Sequence, residues 1–419
     1  MADKVIFGEN AVFSTDSRET GLNNNVAVCG ASGSGKTTSY TEARLLETVN
    51  SSLITTMTKR RLINKYKPLF EQRGYDVQDL NFINPSQSTV AFDPLCSIKS
   101  YSDITHLAEA IVKSDPQKQH TTADPYWDQT SISLLSSLIA YIIMVYGNGA
   151  SFADVLKLYD QLEILEEDGR GSSLDDRFAR LARKQPNCFA VSCYRSFKEA
   201  PIRTRRCIYS TLNTILDTMF SPALRKMMAM PNKVDFEQLG TKKVVLFVST
   251  SAVNPALHRF VNIFYAHAFK SLFEFAQKQP GGQLPVPVHI IADDFATGSP
   301  ILNFAEYISI MREARMSVSL LIQSESQLTG LYGTANATTI INNCDSLMYL
   351  GGTNDLQTGR DISTRLNVPL EDVLSMPLKQ VCLFRRGQKP IITSRYDIMK
   401  DERYQQITQQ YEEAFAREL

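Results

Sequence analysis

Charge of one sign is missing from this chain: 44 Lys and Arg residues stand against 44 Asp and Glu, a formal net charge of zero. Global charge therefore gives no reason to expect a nucleic-acid partner, and any such contact must come from a local basic surface. Paired cysteines are missing too. The seven, at positions 29, 96, 188, 193, 207, 344 and 382, form no CxxC and leave one over, which reads as a reduced, cytosolic chain. Cys29 reads as a small core residue. No long hydrophobic run interrupts the sequence. The most lipophilic stretch, Ile132 to Tyr146, is broken by serines and falls short of the ~20 apolar residues a spanning helix needs. It reads as a buried helix, and the chain is expected to have no direct membrane span. The start, Met-Ala-Asp-Lys-Val, lacks the apolar segment of a signal peptide. No internal repeat or low-complexity tract is present.

What is present is an ordinary globular composition, 43% hydrophobic and 21% charged over 419 residues. That length suits one large domain with an insertion, or two domains. Gly30 to Thr37 read Gly-Ala-Ser-Gly-Ser-Gly-Lys-Thr, a complete P-loop, directly after the apolar run Val26 to Cys29 and before a segment, Thr38 to Leu46, able to start a helix. Backbone N–H groups of such a loop converge at a helix N-terminus and cradle nucleotide phosphates. Gly30, Ser32, Gly33, Ser34, Gly35, Lys36, Thr37 and Thr38 are the expected nucleotide-binding residues. Lys36 would reach the β- and γ-phosphates of ATP, and the Thr37 hydroxyl would hold Mg²⁺.

Short β-type runs recur between helical stretches: Val26–Cys29, Leu53–Thr56, Val244–Val248, Val288–Ala292, Val318–Ile322, Leu347–Leu350 and Val381–Phe384. Several are continuously apolar, as strands buried on both faces of a mostly parallel sheet must be. The class is α/β, doubly wound. From about 100 to 239 the pattern turns to a 3.6-residue period (Leu174, Phe178, Leu181; Ile208, Leu212, Ile215, Leu216, Met219), which predicts an all-α domain inserted into the nucleotide-binding one. The expected division is 1–99 and 240–400 for the nucleotide-binding domain and 100–239 for the helical one. A charged tail, 401–419, would be an exposed or frayed helix. Loops are expected at Pro116–Pro125, Gly147–Ser151, Gly169–Ser173 and Pro280–Pro287.

A P-loop enzyme needs a carboxylate at the end of a neighbouring strand. His289-Ile290-Ile291-Ala292-Asp293-Asp294 supplies it: Asp293 would hold Mg²⁺, partly through water, and Asp294 would orient the attacking water. Asp294 is one methylene shorter than the Glu common there, so it reaches less far. Gln323, directly after Val318–Ile322, suits a γ-phosphate sensor, or otherwise a turn or cap. Arg312 and Arg315 end the preceding helix. A helix-terminal arginine is more often a dipole partner than a finger reaching a neighbour's γ-phosphate. Arg195, Lys198, Arg203, Arg205 and Arg206, interleaved with Tyr194, Phe197 and Tyr209, suit nucleic acid, but nearby acids favour a solvated helix face.

Together these residues resemble the coupling ATPases of type IV secretion and bacterial conjugation, the TraG/TraD-type family. The resemblance is carried by Asn23-Asn24-Asn25-Val26, Trp127, Asp293-Asp294-Phe295-Ala296-Thr297 and Ile322-Gln323-Ser324 with Ser326-Gln327-Leu328. Asn343-Cys344-Asp345, Gly351-Gly352 and Gly387-Gln388-Lys389-Pro390 add to it. It implies a RecA-like motor domain carrying an all-α domain, working as a homohexamer or, in isolation, found as a monomer. Its cofactors would be ATP and Mg²⁺. Its partners would be a relaxase with single-stranded DNA, the relaxosome, and components of the type IV secretion channel. Its location would be cytoplasmic, with partners recruiting it to the inner face of the membrane. Arg312, eleven residues before Gln323, matches the family's trans arginine. The chain departs from the family pattern in three ways. Only 29 residues precede Gly30, where transmembrane helices are usual. Thr56-Met57-Thr58-Lys59-Arg60 replaces an Asp-Pro-Lys-Gly-Glu-type motif, and Asp294 replaces Glu. The alternatives to a DNA-coupled motor are a nucleotide-gated docking platform with little intrinsic ATPase activity and a cytosolic FtsK/HerA-type translocase.

Overall fold

A computed structural model describes residues 3–114, 125–164, 172–251, 253–295, 297, 299–352 and 355–418. Its strands are β1 (Lys4–Gly8), β2 (Ala11–Ser14), β3 (Val26–Cys29), β4 (Ser52–Met57), β5 (Asp76–Asn81) and β6 (Val244–Ser249) in the first two thirds of the chain. They continue with β7 (Val288–Ala292), β8 (Met316–Ile322), β9 (Ser346–Leu350), β10 (Gln380–Arg385) and β11 (Ile391–Ser394). Nine of them form one sheet in the order β11-β10-β9-β3-β8-β7-β4-β6-β5, while β1 and β2 pair as a separate ribbon. From β9 to β6 every pairing is parallel; β10 and β11 turn antiparallel at one end. Strands β3, β4, β6, β7, β8 and β9 are buried at every residue. That is why their sequences read as unbroken apolar runs. All seven strands expected from sequence are present, several a residue or two longer.

The chain divides into two compact units, Met1–Leu80 with Asp235–Val253 and Ala268–Leu419, and Asn81–Val234 with Asn254–His267. The first holds the sheet. The second is helical among its described residues, so the boundaries fall earlier than the 100–239 read from periodicity, and a later segment joins it. Capping boxes start two of its helices, Ser100 with Asp103 and Ser172 with Asp175. Leu174, Phe178, Ile208, Leu212, Ile215, Leu216 and Met219 are buried, as their period requires. The expected loops Pro116–Pro125 and Gly169–Ser173 lie largely outside the described residues.

Two expectations need correcting. The apolar stretch is not cut short by its serines, because Ser131, Ser133 and Ser137 return their hydroxyls to carbonyls one turn back. The resulting helix, Tyr126–Gly149, is long and apolar enough by length and composition to cross a membrane, and more than half of its most apolar stretch is buried inside the protein. Leu134, Leu135, Leu138 and Ile139 are sealed from solvent. Nor is the C-terminal segment simply exposed: it is a helix, as expected, and outward-facing over most of its length, but one face is docked. In the helix Glu402–Glu418, Tyr404 and Ile407 join a core cluster with Tyr66 and Phe70. Lys65 Nζ stands 3.3 Å above the Tyr404 ring, and Arg403 pairs with Glu47 at 2.6 Å.

Candidate nucleotide-binding site

Strand β3 lies between β9 and β8, with Cys29 opposite Tyr349 and Ile322. Because β3, β8 and β7 are parallel neighbours, the residues following them emerge at one edge of the sheet. These are Gly30 onward, Gln323 and Asp293. Ligands of open α/β sheets bind outside such carboxyl ends. The Gly30 N–H donates to the Ile322 carbonyl at 3.2 Å, which pins the loop to β8. Gly33 and Gly35 take φ of +75° and +83°, the left-handed region that lets consecutive amides turn inward. A Cβ on Gly30 would stand 2.5 Å from Ser34 Oγ and 3.0 Å from Leu350 Cβ, so a side chain there would force Ser34 out of its place.

Lys36 Nζ donates to the Gly30 carbonyl at 2.7 Å and the Ala31 carbonyl at 3.2 Å. Burial lowers its pKa, and the charges of Asp294 and Asp293 pull it back up. Ser34 is buried with its hydroxyl unpartnered. Ser32 and Thr38 are exposed and Thr37 is half-buried. The helix leaving the loop opens on a widened π turn, Thr37–Thr41, before continuing as Glu42–Glu47.

The Asp293 N–H donates to Thr56 Oγ1 at 2.9 Å, and the Asp294 N–H donates to the Asp293 carboxylate at 3.1 Å. Asp294 sits at φ +50°, a left-handed conformation that Asp tolerates better than most side chains. Burial, then the charge of Asp294, pushes the Asp293 carboxyl up to about 6. Such an acidic pair, short of compensating charge, fits a divalent cation. Among the described residues no cluster of three or more His, Cys, Asp or Glu exists that would hold a metal by itself. A carboxylate pair beside a phosphate-binding loop suits Mg²⁺, which usually keeps several waters and takes ligands from phosphates.

Gln323 is exposed, and the N-cap role beside it is taken by Ser324, whose hydroxyl accepts from the Gln327 N–H at 3.2 Å. The plain capping role is therefore filled without Gln323. Arg312 is not brought to this edge. It lies in the turn before β8, at the opposite end of the sheet, exposed. With Arg18, Arg44 and Arg315 it lines a cavity of about 560 Å³. Arg315, at φ +59°, is committed to the Leu284 and Pro285 carbonyls at 2.9 and 3.0 Å.

The aromatic residues among the basic helices are not free platforms. Tyr194 stacks on Phe178 at 3.9 Å and donates to Asp175, Phe197 is buried, and Tyr209 stacks on Tyr159. Lys198 pairs with Asp175 at 2.8 Å. These engagements count against base stacking on the three rings and favour the solvated helix face, while Arg195, Arg203 and Arg206 stay exposed. Two features escaped the sequence reading. Thr56 sits in the segment that departs from the family motif, yet its hydroxyl positions Asp293. Tyr40, Ser319 and His289 form a buried polar chain under the site; serines alternating within Met316–Ile322 are the signal that would have shown it.

A family model described as type IV secretory system conjugative DNA transfer matches residues 2–367. Among solved structures, the plasmid coupling protein TrwB in complex with the ATP analogue ADPNP has a TM-score of 0.67. It is 16% identical, covering 89% of this chain and 85% of that one. An unbound monoclinic form of TrwBdeltaN70 has a TM-score of 0.69 at 17% identity, covering 94% and 88%. VirB4 of Thermoanaerobacter pseudethanolicus has a TM-score of 0.57 at 11% identity, covering 94% and 97%. TrwB has also been solved in complex with ADP and Mg²⁺. No curated protein matches the chain. These likenesses fix the fold as a RecA-like nucleotide-binding domain with a mostly parallel sheet, accompanied by an all-α domain.

Proposed function

The chain belongs to the type IV secretory system conjugative DNA transfer family, and from that premise we propose that it is the ATP-hydrolysing coupling protein of such a system. In this role it links relaxase-bound single-stranded DNA to the transfer channel. The observation that carries the reading is the parallel order β3-β8-β7, which brings Lys36, Gln323 and the Asp293–Asp294 pair to one sheet edge. The TrwB complexes with ADPNP and with ADP and Mg²⁺ support ATP and Mg²⁺ as the ligands.

The loop amides from Gly30 to Thr38 would bind the phosphates, with Lys36 leaving the Gly30 and Ala31 carbonyls to meet them. Thr37 and Asp293 would hold Mg²⁺, whose charge would offset that developing on the transferred phosphoryl group. Asp294 would accept a proton from, or orient, the attacking water. Gln323 would respond to the γ-phosphate and pass the change to the helix Glu325–Asn342. Arg312, remote from its own loop, would serve a neighbouring copy in a ring.

Steady-state ATP hydrolysis with and without single-stranded DNA tests this. DNA-stimulated turnover, lost in Lys36→Ala, is the expected result; tight ATP binding with no turnover under any condition would sink the motor. That second outcome is the nucleotide-gated docking platform, which the short reach of Asp294 favours.

A further inference from the structure

Strand β11 pairs antiparallel with β10, Ser394 opposite Gln380. The next residue, Arg395, is anchored by its own N–H, which donates to the Lys379 carbonyl at 2.8 Å. Its side chain then crosses to the P-loop. Nη2 donates to the Leu378 carbonyl. Nη1 lies 2.7 Å from the point where a Cβ on Gly35 would stand, with Thr38 Oγ1 and Ser39 Oγ 3.4 and 3.6 Å from the same point. Gly35 can hold this guanidinium against its backbone only because it has no side chain.

Arg395 Nε is buried and without a partner. Among the described residues no carboxylate charge acts on Arg395, and burial lowers its pKa. A guanidinium partly withdrawn from water, with a donor unused and no counter-ion, is unfavourable unless an anion meets it. The neighbouring loop is built to hold one.

Its side of the loop decides which part of the anion it meets. Asp293 and Gln323 come from β7 and β8, on one flank of β3; Arg395 comes from the β9–β10–β11 side, on the other. The reacting γ end of a triphosphate belongs with the carboxylates. The opposite flank, beside Thr38, belongs to the phosphate joined to the nucleoside.

We propose that Arg395 is a nucleotide-contacting residue in cis, a second cation of the P-loop site that binds the nucleoside-side phosphate of ATP and ADP alike. The proposal rests on the nucleotide-binding reading of Gly30–Thr37. A planar guanidinium suits this role because it can give two parallel hydrogen bonds to phosphate oxygens.

Calorimetric titration of ADP and of ATP with Mg²⁺ into the wild-type chain, Arg395→Ala, Arg395→Gln and Arg395→Lys tests it. Gln retains a neutral donor for the Leu378 carbonyl, and Lys retains the charge. The expected result is that Ala and Gln weaken ADP and ATP by the same factor, about tenfold or more, while Lys recovers much of the loss. Binding by Ala and Gln within about twofold of wild type would overturn the proposal. So would a loss confined to ATP, which would put the guanidinium at the γ end. Equal losses in Gln and Lys, tracking a fall in melting temperature, would reduce Arg395 to a hairpin anchor. If the wild-type chain binds neither nucleotide, the P-loop reading itself fails, a result distinct from all of these, and the proposal falls with it.

Discussion

The Tyr40 hydroxyl lies 2.5 Å from the Ser319 hydroxyl, deep in the sheet unit. Ser319 Oγ also meets His289 Nε2 at 2.8 Å, and His289 Nδ1 meets Ser317 Oγ at 2.7 Å. Tyr40 belongs to the π turn that follows the P-loop, Ser319 to the strand that leads to Gln323, and His289 to the strand that leads to Asp293. One polar chain therefore ties together the three elements that carry the site. Ser319→Ala would strand both neighbours, and the expected loss is about 2 kcal/mol, against about 1 for Ser317→Ala at the end of the chain. Urea unfolding of the two variants checks this; equal losses would deny Ser319 its central place.

His289 is fully enclosed, and burial, helped by the charge of Arg44, holds its pKa well below 6.5. The folded chain therefore keeps this ring neutral while the unfolded chain protonates it. Where the unfolded state binds more protons, stability rises with pH, so this contribution is complete above about pH 6.5 and drains away on acidification. The slope from one such group is at most about 1.4 kcal/mol per pH unit. Replacing the ring by His289→Gln should flatten the fall in stability between about pH 6.5 and 5, read by denaturant titration at each pH.

Asp293 acts in the opposite sense. Its folded pKa, about 6, lies above the ordinary 3.8, so the folded state binds the extra proton between those values. Stability from this group is full below about pH 3.8 and is lost as pH rises through 6. In buffer without metal or nucleotide, Asp293→Asn should be more stable than wild type by about 1–2 kcal/mol at pH 7.5 and no more stable at pH 4. A variant destabilised at both pH values would mean the carboxylate is satisfied by its own neighbours and leaves no charge for a cation to offset.

The parallel interior of this fold was open to reading because burial on both faces forces unbroken apolar runs, as in Val-Val-Leu-Phe-Val of β6. The two edge strands, β5 and β11, and the β1–β2 ribbon were not. Asp-Val-Gln-Asp-Leu-Asn of β5 is exposed or half-buried over its first four residues and mostly polar, so neither period nor propensity marks it. The P-loop, Asp293 and Gln323 were legible because each follows its strand directly. Thr56 and Arg395 were not, since both reach the site through pairings between residues hundreds of positions apart. Gly35 is where the two kinds of information meet: the motif names it, and only the fold shows what lies against it.

Asp294 combines the position proposed here for orienting the attacking water with a left-handed backbone. Asp294→Asn keeps a residue suited to that conformation and removes the charge. It should lower ATP turnover by about a hundredfold or more while leaving nucleotide affinity within a few-fold. It should also relax Asp293, whose carboxyl is pushed up partly by Asp294. Asp294→Glu restores the longer reach but strains the backbone, at a cost of roughly 1 kcal/mol. Turnover and binding measured side by side separate the outcomes. Unchanged turnover in Asp294→Asn would remove Asp294 from the chemistry.

The C-terminal helix gives the sharpest contrast between a charged sequence and a docked structure. Its composition reads as solvent-facing, yet Tyr404 and Ile407 are buried, at 7% and 6% exposure, whereas Phe415 is 53% exposed. Lys65 joins the two layers: its ammonium lies 3.7 Å from the Glu42 carboxylate and over the Tyr404 ring. Glu42 begins the helix that continues from the P-loop, so the tail braces that helix from behind. Tyr404→Ala should cost about 3 kcal/mol, cavity and cation–π contact together. Phe415→Ser should cost less than about 0.5 kcal/mol. A chain ending at Lys400 should unfold at markedly lower denaturant and bind nucleotide more weakly, because the brace under the loop helix is gone. Undiminished stability in that shortened chain, read by the same unfolding assay, would return the segment to a dispensable tail.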